Sequence, residues 1–93
     1  MTEERIDGHQ FMQLAGRKLG DVAPMIDLVL KKQAKDLGIS GSVPPQTIEQ
    51  LIEKTVLGIR YFMGDEGADL VRRHMKKIFR EMAPDYNRRK IGF

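Results

Sequence analysis

The residues able to do acid–base chemistry are few and scattered. His9 and His74 are the only histidines, and they fall on different predicted helices. General acid–base work needs such a group within hydrogen-bond reach of a partner. The densest acidic cluster, Asp65, Glu66 and Asp69, falls where a helix is expected to begin, so capping and dipole compensation account for it. His74 sits at the edge of an apolar stripe, between Leu70 and Ile78, as a boundary histidine does. The chain carries no HExxH, no glycine-rich phosphate loop after a strand and no GxSxG. It has no cysteine, which excludes disulfides, thiolate nucleophiles and thiolate metal sites. The expectation is a protein with no catalytic residue, no metal and no cofactor.

Basic residues are the chemistry that is concentrated. Residues 72–90 hold eight of the sixteen Lys and Arg side chains, opposed only by Glu81 and Asp85. The overall charge of +3 thus combines a mildly acidic body with a strongly basic end. Arg72, Lys76 and Arg80 repeat at i, i+4 and i+8, with Arg73 and Lys77 beside them, so a helix gathers all five on one face. Arg88, Arg89 and Lys90 follow. Cations so spaced can meet successive phosphates and release their counterions. Tyr86, lying between the two groups, could stack on an unpaired base. Nucleic acid is the leading expected partner, with Arg72, Arg73, Lys76, Lys77, Arg80, Tyr86, Arg88, Arg89 and Lys90 as the binding residues.

The elements that must carry these side chains read as helices. Residues 1–6 are polar and expected to fray. Asp7, with Gln10 three positions on, caps a helix over 8–19 whose apolar face is Phe11, Met12, Leu14, Ala15 and Leu19. Gly20 ends it. Asp21 caps a helix over 22–37, with Pro24 in its first turn and Val22, Met25, Ile26, Val29, Leu30, Ala34 and Leu37 inward. Gly38 followed by Ile39 has the form of a Schellman ending. Residues 38–45 make one loop whose prolines lead into a third helix over 46–63. That helix is apolar over more than half its circumference, as expected at a bundle centre or an oligomer interface. Gly58 within it implies close approach of another backbone. Gly64 stops it and Asp65 caps a fourth helix over 66–82, closed by Pro84. Residues 85–93 are expected to be extended or flexible. Short connections favour antiparallel neighbours, so the predicted fold is all-α: a four-helix up-down bundle in one domain over 1–93.

The longest apolar run is three residues, and the N-terminus lacks a basic segment followed by an apolar one. No membrane span or secretion signal is expected, and the default location is cytoplasmic. The excess apolar surface of the third and fourth helices, with five internal methionines (Met12, Met25, Met63, Met75 and Met82), supports a second possibility. That is a protein-interaction module or homodimeric adaptor.

Residues 64–90 also carry a family likeness. Gly64 before a helix, the group Arg72-Arg73-His74, the aromatic Phe79, and Pro84 ahead of Arg88 and Arg89 resemble the C-terminal helical domain of bacterial tRNA-dihydrouridine synthases. The resemblance implies a helical domain that contacts tRNA. The flavin-binding barrel of that family has no counterpart here, so its reaction is not implied.

Overall fold

The computed structural model describes residues 4–20 and 24–91, the side chains at 20, 24 and 89–91 excepted. Its first element comes before the first helix. β1 (Ile6–Asp7) pairs antiparallel with β2 (Ser42–Val43), Ile6 opposite Val43 and Asp7 opposite Ser42. Arg5 fastens this ladder, donating from Nε to Ser42 Oγ at 3.0 Å and from Nη2 to the Ser42 carbonyl at 2.9 Å. Ile6 is only 2% exposed, which corrects the expectation of a frayed segment through residue 6. Gly8 donates to the Gly41 carbonyl at 2.8 Å, and a Cβ there would lie 2.4 Å from Ile39 Cγ2. Glycine is what lets the strand pass into the helix against the 37–44 loop.

α1 (Gly8–Gly20) starts as its sequence implies, with Gln10 N–H donating to Asp7 Oδ1 at 3.1 Å. Phe11, Ala15 and Leu19 are its buried stripe; Leu14 is exposed. α2 (Pro24–Asp36) buries Ile26, Leu30 and Ala34, and an Asp27–Lys31 ion pair at 2.9 Å runs down its outer side. Its expected cap, Asp21, and the inward Val22 lie outside the described residues. Its ending is the Schellman motif: Ile39 N–H to the Ala34 carbonyl, Gly38 N–H to the Lys35 carbonyl, both 3.0 Å, with Gly38 at φ +68°.

α3 (Pro45–Met82) opens on Pro45 in the first helical position and runs to Met82, broken at Gly64. Gly64 has φ 72° and ψ −175°, a region essentially restricted to glycine. The break reverses the chain. Arg72 Nη2 lies 3.0 Å from Glu53 Oε2, nineteen residues away, whereas a straight helix would separate those positions by about 28 Å. The two arms, 45–63 and 65–82, therefore lie side by side. Asp65, expected as a helix cap, meets Arg60 at 3.2 Å.

Ala83 leaves the helix (φ −134°) and α4 (Pro84–Ile91) follows. This corrects the extended tail: Pro84 ends one helix and begins another, its missing N–H costing nothing in a first turn. Gly58 also needs correction, since the group it admits is the Val29 side chain, with Cγ1 3.0 Å from where a Cβ would be, and not a backbone.

The core unites Ile48, Leu51, Ile52, Val56 and Ile59 of the first arm with Ala68, Val71, Met75, Ile78 and Phe79 of the second. α1 and α2 close over it, and α4 packs on α3. The Cα radius of gyration of 12.8 Å fits one helical domain of this length. No helix among the described residues is long and apolar enough to cross a membrane.

Two substitutions test this account by urea denaturation. Gly64→Ala is expected to destabilise by roughly 1–3 kcal/mol, because any Cβ strains that backbone. Thr55 is fully buried and its hydroxyl has no hydrogen-bond partner among the described residues. Thr55→Val is therefore expected to stabilise by about 1 kcal/mol.

Candidate nucleic-acid interface

The fold distributes the five cations of the second arm over three settings. Arg72 turns inward and links the two arms. Its Nη2 meets Glu53 at 3.0 Å and its Nη1 meets Asp69 at 3.6 Å, with the side chain 30% exposed and Nε buried without an acceptor among the described residues. Arg72 thus belongs to the hairpin's interior tie. Arg73, Lys76 and Arg80 form one wall of a groove of about 520 Å³ between the arms. Glu49 and Glu53 form the opposite wall, buried Ile52 and Phe79 the floor, and Asn87 of α4 the end. Lys77 faces the other way, onto a second pocket with His74. The five cations are not one face: the core-edge position of Arg72 and the sideways turn of Lys77 leave three acting together.

Tyr86 is also placed differently from the stacking role expected of it. Its ring packs on Phe79, centroids 5.9 Å apart and tilted by 53°. Its hydroxyl donates to Glu49 Oε1, and its backbone N–H donates to Glu4 Oε1 at 2.7 Å. The hydrogen bond to Glu49, then burial and the Glu49 charge, push its phenol up from 10.0 to about 12. Tyr86 therefore docks α4 on the body, with its ring half-buried against Phe79. Its spacing was a usable signal: Phe79, Met82 and Tyr86 continue the apolar stripe of the second arm past Pro84.

α4 makes residues 84–91 a helix, so Arg88 extends from a fixed element. Its guanidinium is exposed and only loosely paired with Asp85, at 3.9 Å. Arg89 and Lys90 continue the same helix, their side chains outside the described set. His9 and His74 are exposed and lie on separate helices. No group of three His, Cys, Asp or Glu residues suited to a metal ion occurs among the described residues. The residues missed by sequence reasoning are Glu49, Glu53 and Asn87. Glu49 and Glu53 fall on the expected third helix and Asn87 in the segment expected to be extended, and only the fold-back at Gly64 brings the two carboxylates opposite the cations.

A scan with protein-family models gives no match, and comparisons with curated proteins and with solved structures give none either.

The Tyr86–Glu49 bond yields a pH prediction. Below pH 10 the phenol is protonated in folded and unfolded chains alike. Between pH 10 and about 12 the unfolded chain gives up a proton that the folded chain keeps, so stability falls as pH rises. Tyr86→Phe should lower stability by about 1 kcal/mol near neutral pH. That deficit should shrink as pH approaches 12. Denaturation of both proteins across this range, with an absorbance titration of the phenolate, checks it.

Proposed function

We propose that this protein is a non-enzymatic binder of nucleic acid, gripping the phosphate backbone with Arg73, Lys76 and Arg80 and extending the contact along α4 through Arg88, Arg89 and Lys90. The observation that carries this reading is the cationic wall. Three neighbouring side chains line one side of the groove, and none forms an ion pair with a described residue. Arg72, Lys31 and Arg60 have carboxylate partners, whereas these three cations stand side by side facing Glu49 and Glu53 only across the groove. Adjacent cations of this kind raise the local positive potential and draw polyanions. The likeness of residues 64–90 to a tRNA-contacting helical domain points the same way and makes RNA the first candidate.

The reading takes the long helical segments as an up-down bundle. Gly8 lying against Gly41 supports it, as does Glu53 lying against Arg72. A cysteine-free composition supports a reducing, cytoplasmic setting.

A second reading, a protein-interaction module or homodimer, draws on the outer side of the first arm. There Tyr61 is 90%, Phe62 63% and Leu57 54% exposed. Light scattering over a concentration series separates the possibilities: a monomer throughout removes the homodimer.

The nucleic-acid reading is tested by fluorescence anisotropy with mixed-sequence RNA and DNA at increasing salt. Binding should weaken log-linearly with salt. Arg73→Glu with Arg80→Glu should reduce the salt slope by about two and weaken all sequences alike. No binding at low salt, or a slope untouched by the double substitution, sinks the proposal.

A further inference from the structure

The second pocket has the opposite character to the groove. It has a volume of about 330 Å³ and lies where α1 and α2 meet the second arm of α3. Its inner walls are apolar: Leu19, Ile26 and Val71 are buried and Met63 is half-buried. Its mouth carries exposed Lys18, His74 and Lys77, and no carboxylate among the described residues lines it. These three side chains make no hydrogen bond or ion pair with a described residue. Apolar depth beneath a cationic rim is complementary to a molecule with an anionic head and a hydrocarbon tail. The volume falls at the small end of ligand sites, roughly 300–1,000 Å³, which suits a single narrow chain.

We propose that this pocket binds a single-chain anionic amphiphile, its tail against Leu19, Ile26, Met63 and Val71 and its head on Lys18 and Lys77. The chemistry explains both halves of the lining. Burying the tail releases water chiefly from exposed Leu70 and half-buried Met63, with Leu19, Ile26 and Val71 as an almost covered floor. Placing the carboxylate at the rim sets it beside two cations that form no ion pair with a described residue. The site shares Lys77 with the basic stretch but otherwise stands apart from the nucleic-acid reading and survives its failure.

Calorimetric titration with decanoate, decanol and decyltrimethylammonium tests it, with methyl NMR of Met63 and Val71 to locate the ligand. Decanoate should bind saturably at one site and shift those methyl signals, decanol should bind more weakly, and the cationic analogue weakest. Lys18→Glu should weaken decanoate by about fivefold, as expected for a partly exposed ion pair, and leave decanol unchanged. Leu70→Trp, at an exposed position of the mouth, should block all three ligands while the thermal transition stays cooperative. The inference is overturned if decanoate shows no saturable binding, or if the cationic analogue binds equally well. It is also overturned if the protein binds only anionic vesicles and not free decanoate.

Discussion

The reversal at Gly64 is the constraint on which the other features depend. Sequence on either side of it is good helix, and without the break residues 45–82 would form one rod of about 57 Å. Such a rod would hold Glu53 and Arg72 far apart and bury neither apolar stripe. A single residue at φ 72° folds the rod against itself, so that Ile52 and Phe79 meet and a groove opens beside them. Intrinsic helix preference competes here with burial, and burial wins because glycine makes the required backbone cheap.

The groove's electrostatics follow from that reversal. Antiparallel arms bring Glu49 and Glu53 on one arm opposite Arg73, Lys76 and Arg80 on the other. Arg72, closest to the seam, is drawn into bonds with Glu53 and Asp69, which trade its availability to an outside partner for rigidity between the arms. A charge-dense segment is thus sorted by distance from the seam: the innermost cation is structural, while its outward neighbours remain available to solvent and to polyanions. The same sorting leaves Lys77 on the far side, over apolar walls.

Much of the helical scaffold was legible because its signals are local. The Asp7 cap, Pro45 at a helix start, the Gly38–Ile39 ending and the stop at Gly64 each depend on a few adjacent residues, and each appears where its chemistry places it. What was not legible depends on contacts between distant segments. Ile6 reads as part of a polar tail until Val43 is set beside it. Tyr86 reads as an open aromatic until Glu49 and Phe79 arrive from α3. The cations of the second arm read as one face because helical periodicity says nothing of which neighbour each will meet. Pro84 misled for another reason: the same ring that stops a helix suits the start of the next, and only the docking of α4 decides between them.

Tyr86 N–H reaching Glu4 joins segments eighty-two residues apart in sequence. Closing so long a loop gives up a great deal of chain entropy for one exchanged hydrogen bond, so this contact forms only after the helices beneath it have assembled. On contact-order grounds the local caps and the Gly64 hairpin are expected to form before the α4 clasp, and hydrogen exchange of the α4 amides is the measurement that reads this order.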